Sequence, residues 1–118
     1  MRSVIVTGMH RSGTSLVAGI MKRLVSAPDM DQLESDAANP KGYHESPLIL
    51  RYNEDLLAES GGSWSAPPHI AYDRAGIASH PDLEQTRQLL GLNSNAETPY
   101  VLKDPRFSLL LPVWDRLL

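Results

Sequence analysis

The hydrophobic positions of this chain fall into two short continuous runs and several longer stretches with helical spacing. The runs at residues 4–7 and 100–102 are rich in β-branched and aromatic side chains, which is typical of short strands buried on both faces. The chain between them is long enough for a crossover, and crossovers of this kind are almost always right-handed. The pattern therefore predicts two parallel strands.

Helical spacing predicts four helices, at about residues 14–24, 47–60, 79–90 and 107–118. In the second helix, Ser46 and Pro47 suit the N-cap and first position, and Asn53 is predicted to point outward. In the fourth, Pro112 is expected near the helix start and Trp114 is expected to pack inward. The first helix carries an apolar series, with Lys22 and Arg23 on its other side: Leu16, Val17, Ile20, Met21 and Leu24.

The segment between the first strand and the first helix has the spacing of a phosphate-binding loop. Gly8 and Gly13 enclose four residues, as in G-x-x-x-x-G-K-[ST], but Thr14 occupies the lysine position and the basic residue is Arg11. Glycines let backbone N–H groups turn toward an anion, and the helix that follows adds a partial positive charge. A tight turn that merely needs glycines is the alternative. The order of strand, loop and helix favours a site for a phosphate-like group.

Composition narrows the classes of ligand and location. The net charge of −3 argues against bulk attraction to nucleic acid or anionic membranes, so an anionic cofactor would depend on local basic residues. The chain has no cysteine, which excludes disulfides and thiolate zinc sites. His69 and His80 lack metal-ligand spacing with each other or with His10, so no metal site is predicted. No apolar leader or membrane span is evident, and we expect a cytoplasmic protein.

The loop sequence GMHRSGTSL resembles the 5′-phosphosulfate-binding loop of the PAPS-dependent sulfotransferases, which reads approximately P-[KR]-[ST]-G-[ST]-[ST]. His10 replaces the usual proline, as in bacterial members whose loop reads G-M-H-R-S-G-T-S. The resemblance implies an α/β, three-layer P-loop fold with a parallel sheet flanked by helices, and PAPS as the donor co-substrate. It implies donor binding by the following residues: Gly8, His10, Arg11, Ser12, Gly13, Thr14, Ser15 and Arg106.

Two further segments extend the resemblance toward catalysis. Lys103 begins a K-D-P segment similar to that of protein-tyrosine sulfotransferases, and with Arg11 it is expected to stabilise charge on the leaving phosphate. Arg106 is expected to bind phosphate or an anionic acceptor, and a surface salt bridge is the alternative for Lys103 and Arg106. Glu45 resembles a catalytic glutamate and is the predicted base. His44 is the alternative base, and for Glu45 a carboxylate stabilised by the dipole of the following helix is the alternative.

The extent of the resemblance sets the expected domain and function. It covers residues 4–24, 39–53 and 100–114, whereas family members are commonly about twice this length. We therefore expect residues 1–118 to form the N-terminal part of one sulfotransferase-like domain, acting on a small-molecule or carbohydrate acceptor. The sequence is also compatible with a homo-oligomer. A P-loop kinase using ATP and Mg²⁺, and a truncated non-catalytic nucleotide-binding or interaction module, are the alternatives; the missing lysine counts against the kinase.

Overall fold

The computed structural model describes residues 1–9, 11–28, 30, 44–63, 65–66 and 82–118. In the described residues, two strands and four helices follow one another along the chain. Both predicted strands are present, each within one residue of its predicted bounds. The elements are β1 (Ser3–Val6), α1 (Thr14–Leu24), α2 (Pro47–Glu59), α3 (Leu83–Leu89), β2 (Tyr100–Lys103) and α4 (Phe107–Leu117).

The two strands form a parallel pair, as the crossover argument predicted. Ser3 lies opposite Tyr100, and the register continues to Val6 opposite Lys103. Because the strands are parallel and in this register, both end at the same edge of the sheet. Beyond the strands, Thr7 Oγ1 donates a hydrogen bond to the Pro105 carbonyl oxygen at 3.3 Å. The two segments that carry the predicted site residues therefore begin side by side.

Helices cover both faces of this sheet. Val6 and Val101 pack with Ala18 of α1 on one face. On the other face, Tyr100 and Leu102 belong to a larger buried cluster that α2 and α4 complete. The larger cluster also contains Ile49, Leu56, Leu57, Leu90, Leu92, Phe107, Leu110, Val113, Trp114 and Leu117. The described residues thus form a mixed α/β fold with α1 on one side of a two-stranded parallel sheet.

Most of the apolar series of α1 faces away from the sheet, contrary to what its spacing indicated, although Met21 packs against the cluster of Val6, Ala18 and Val101. Leu16 is 67% exposed and Leu24 is 72% exposed, whereas Ala18 is fully buried. The side of α1 that meets the rest of the molecule carries small residues, Ala18 and Gly19, and a β-carbon at Gly19 would lie 3.3 Å from the His44 ring. Small residues permit close approach, and four larger apolar side chains are left exposed: Leu16, Val17, Ile20 and Leu24.

Two further predictions about helices are wrong. Asn53, expected to point outward from α2, is fully buried, because both ends of its amide are hydrogen-bonded inside the protein. Pro112 lies inside α4 and not near its start. The proline removes the donor for the carbonyl of Ser108, and Ser108 is an exposed residue, so water can replace the lost hydrogen bond. Trp114 packs inward as predicted.

The third helix begins at Leu83, and its predicted start at residue 79 lies outside the described residues. Asp82 is its N-cap, and one carboxylate oxygen accepts hydrogen bonds from the N–H groups of Glu84 at 2.9 Å and Gln85 at 3.1 Å. This is the usual geometry by which an aspartate begins a helix. Among the described residues, no helix combines the length and the apolar character that crossing a membrane requires.

Candidate functional site

The loop after β1 is a compact turn that leads directly into α1. Ser12 folds back on the start of this turn: its hydroxyl donates to the Met9 carbonyl oxygen at 2.6 Å, and its backbone N–H donates to the same oxygen at 3.3 Å. Gly13 is the N-cap of α1 with φ of 87°, and Arg11 also has a positive φ, of 59°. The side chain of Arg11 is exposed. His10, a predicted donor-binding residue, lies outside the described residues.

Gly8 is required by the way the loop folds over it. A β-carbon at this position would lie 3.0 Å from the Thr14 methyl group and 3.1 Å from the Ser12 hydroxyl oxygen. These distances are shorter than ordinary van der Waals contacts, so any larger residue would push the loop away from the first turn of α1. Gly8 thus allows the predicted donor-binding residues Ser12 and Thr14 to converge at the end of β1.

The N-terminus of α1 carries a positive field that its own side chains do not offset. The N-cap is a glycine without a side-chain hydrogen bond, and the first turn contains no acidic residue. Because the first N–H groups of a helix have no intrahelical acceptor, this end favours an anion. The N-terminus of α3, by contrast, is closed by the Asp82 carboxylate. With Arg11 beside it, the start of α1 can hold a phosphate or sulfate group.

A buried ion pair lies at the same edge of the sheet. Lys103 Nζ, at the end of β2, donates to Glu45 Oε1, in the segment just before α2, and both side chains are more than nine-tenths buried. Lys103 lies opposite Val6 in the sheet. Val6 is two residues before Gly8, so the ion pair and the loop begin at the same edge. Lys103 and Glu45 are 58 residues apart in sequence, so the fold brings together two residues that were predicted separately. Each neutralises the charge of the other.

His44 lies between this ion pair and α1. Its backbone has a positive φ of 57°, and its ring packs against Gly19. Burial first, and then the positive charges of Lys22 and Lys103, lower the pKa of His44 below its ordinary value of 6.5. The imidazole is therefore neutral at physiological pH. Its Nδ1 atom is buried and makes no hydrogen bond within the described part of the chain.

A small cavity adjoins His44 and Lys103. Its volume of about 10 Å³ is roughly that needed by one water molecule. It is too small for a nucleotide, so the donor site predicted from the loop does not coincide with it. The residues that line the cavity are Lys22, Met30, His44, Ser46, Ile49, Val101, Leu102 and Lys103.

Arg106 is engaged by two carboxylates. Its Nη1 donates to Asp104 Oδ1 at 2.9 Å and its Nη2 donates to Glu54 Oε1 at 3.0 Å, with the Arg106 side chain almost fully buried. This is the ion pairing that the sequence left as the alternative for Arg106, although it is buried and not at the surface. A contact between Arg106 and phosphate stays a prediction.

The sequence reading missed two residues of this region, Asp104 and Asn53. Asn53 Nδ2 donates to Asp104 Oδ2 at 3.0 Å, and Trp114 Nε1 donates to Asn53 Oδ1 at 2.7 Å. A signal for Asn53 was present: it lies four residues after Ile49 and four before Leu57, and is therefore on the apolar side of α2. Asp104 gave no comparable signal, because its partner in α2, Asn53, is 51 residues away in the sequence.

Comparison with known proteins identified no relative of this chain. No protein-family model, curated protein or solved structure matches this chain. Within the described ranges, no group of three or more histidine, cysteine, aspartate or glutamate residues is arranged to hold a metal ion. Among the described residues, the candidate site consists of the loop with Arg11 and the cluster formed by His44, Glu45 and Lys103.

Proposed function

We propose that this chain forms the donor-binding part of a PAPS-dependent sulfotransferase of the P-loop type, which transfers a sulfuryl group to a hydroxyl or amine of an acceptor. One observation carries the proposal. An uncapped helix N-terminus behind a glycine-bounded loop lies at the same sheet edge as a buried lysine–glutamate pair. The first element suits an anionic donor, and the second suits proton transfer and charge stabilisation.

The loop residues would hold the donor. Backbone N–H groups at the start of α1, the Arg11 guanidinium and the hydroxyls of Thr14 and Ser15 would bind the 5′-phosphosulfate oxygens. PAPS, when bound, supplies the sulfuryl group and leaves as adenosine 3′,5′-bisphosphate. ATP chemistry with Mg²⁺ uses a lysine at the position that Thr14 occupies here. Because that lysine is missing, binding through backbone N–H groups suits PAPS better than ATP. An acceptor such as a small molecule or a carbohydrate would approach the sulfur atom from the side opposite the leaving phosphate oxygen.

Glu45 would act as the base, and Lys103 would stabilise charge on the leaving group. As the acceptor oxygen or nitrogen forms its bond to sulfur, Glu45 takes the acceptor proton, and the bond between sulfur and the phosphate oxygen breaks. Lys103 then stabilises the negative charge left on the 5′-phosphate. In the structure the Lys103 and Glu45 side chains are paired with each other. We expect the pair to separate when Lys103 turns toward the phosphate.

Calorimetric titration tests the donor assignment. Adenosine 3′,5′-bisphosphate is expected to bind, and Arg11→Ala is expected to weaken binding by about tenfold or more, since a charge-assisted contact is lost. Arg23→Ala removes an exposed arginine from the other end of α1 and is the matched control, with unchanged affinity. Preference for ATP with Mg²⁺ would favour a kinase instead. Binding of neither nucleotide would favour a non-catalytic module.

A further inference from the structure

Helix α2 and the segment before it contact two consecutive residues at the end of β2. Glu45 pairs with Lys103, and Asn53 donates to Asp104. Because successive side chains of an extended chain point to opposite sides, these contacts hold the end of β2 from both faces. The Lys103 side chain shares the α1 face with Val101, and Asp104 points toward α2 and α4.

The Asp104 carboxylate is held from three directions. Oδ1 accepts hydrogen bonds from the backbone N–H and from Nη1 of Arg106, each at 2.9 Å. Oδ2 accepts the hydrogen bond from Asn53, whose own carbonyl oxygen is fixed by Trp114. Asp104 is only 1% exposed. A buried carboxylate with three donors has one available orientation, and the backbone on either side of it is fixed accordingly.

We propose that Asn53 and Asp104 are positioning residues for Lys103. By fixing the rotation of the end of β2 about its own axis, they set the direction in which Lys103 leaves the sheet. They thereby set the position of its ammonium group relative to Glu45 and the phosphate loop. The effect on turnover rests on the proposed sulfotransferase function. The effect on the burial of Lys103 does not, and it can be measured separately.

The exchange of the two polar residues provides the test. Asn53→Asp places a second carboxylate against Asp104, and the two charges repel. The double variant Asn53→Asp/Asp104→Asn exchanges the amide and the carboxylate, and so restores a donor–acceptor pair at the same place. Asn95→Asp makes the same chemical change at an exposed position and is the matched control.

The first readout is acetylation of Lys103 by acetic anhydride, followed by mass spectrometry with an added lysine-containing peptide as the labelling reference. In the wild-type protein we expect Lys103 to be protected, because its side chain is buried and paired with Glu45. Asn53→Asp is expected to increase its labelling rate by about tenfold or more. The exchanged pair is expected to return it to within about threefold of wild type, and Asn95→Asp to leave it unchanged. Unchanged protection in a folded Asn53→Asp protein would overturn the inference.

The second readout is turnover with PAPS and an acceptor. Asn53→Asp is expected to lower kcat by about tenfold or more with KM for PAPS within about threefold, because the loop is untouched. If the wild-type protein binds no bisphosphate, the proposed function fails, and labelling still decides the role of Asn53 and Asp104. If Asn53→Asp does not fold, the exchanged pair decides: restored folding and protection support the inference, and failure to restore them overturns it.

Discussion

The two strand–turn–helix units of this protein treat the start of their helix in different ways. After β2, the first N–H groups of α4 donate to carbonyl oxygens of the turn itself, Phe107 to Asp104 at 3.2 Å and Ser108 to Pro105 at 3.4 Å, although α4 has no side-chain cap. After β1, α1 begins at Gly13, also without a side-chain cap. The positive end of α4 therefore meets acceptors within its own turn, whereas neither a side-chain cap nor an acidic residue of the first turn meets that of α1.

The two helices also differ in how much core they contribute. Helix α4 buries five side chains: Phe107, Leu110, Val113, Trp114 and Leu117. Helix α1 buries Ala18 alone among its residues. Trp114 makes edge-to-face contacts with Phe107 and Tyr52, at centroid distances of 4.9 and 5.9 Å. The unit around α4 thus supplies rigidity, and the less tightly packed unit around α1 carries the proposed binding loop, a division that is common in proteins.

The largest expected effect tests the difference in packing between α4 and α1. Leu110→Ala in α4 removes a fully buried side chain, and should lower the free energy of unfolding by about 2–5 kcal/mol. Leu16→Ala in α1 makes the same change at an exposed position, and should alter it by less than about 0.5 kcal/mol. Urea denaturation measures both. Equal losses would show that α1 is covered in solution and that the contrast between the helices is wrong.

An intermediate effect is expected at the loop. Gly8→Ala forces a methyl group against Thr14 and Ser12, and should destabilise the protein by about 1–3 kcal/mol while weakening binding of adenosine 3′,5′-bisphosphate. Gly61→Ala, after α2, also meets a positive φ but no atom within 4 Å, and is the control. It should lower stability and leave nucleotide affinity intact. Loss of affinity in both variants would mean that affinity follows stability and not the loop.

The smallest expected effect concerns pH. Burial and two nearby lysines hold the pKa of His44 below 6.5, so the unfolded chain binds a proton more readily than the folded protein. The contribution of His44 to stability is thus complete above about pH 6.5 and is lost as pH falls through its lower folded pKa. His44→Gln should flatten the decline in urea-denaturation stability between about pH 7 and 5. An identical decline in both proteins would place the cause elsewhere.

Local sequence patterns predicted the positions of strands and helices better than they predicted which side chains are buried and which residues are in contact. Strand composition and glycine spacing located both strands and the loop, because these signals act over a few residues. Helical periodicity identified the apolar series of α1 but could not show that Ala18, and not Leu16, packs against the sheet. The contacts of Glu45 with Lys103 and of Asn53 with Asp104 join residues more than fifty positions apart. No local pattern contains such contacts, and only the assembled fold reveals them.

The most direct test of the central contrast is a titration of the ¹⁵N-labelled protein with adenosine 3′,5′-bisphosphate, followed through its backbone amide resonances. The open N-terminus of α1 is expected to bind the 5′-phosphate. The largest shifts should then fall on the amides of Gly13, Thr14 and Ser15, with those at the capped start of α3, Glu84 and Gln85, unmoved. Shifts at α3 as large as those at α1, or none at either helix, would contradict the account.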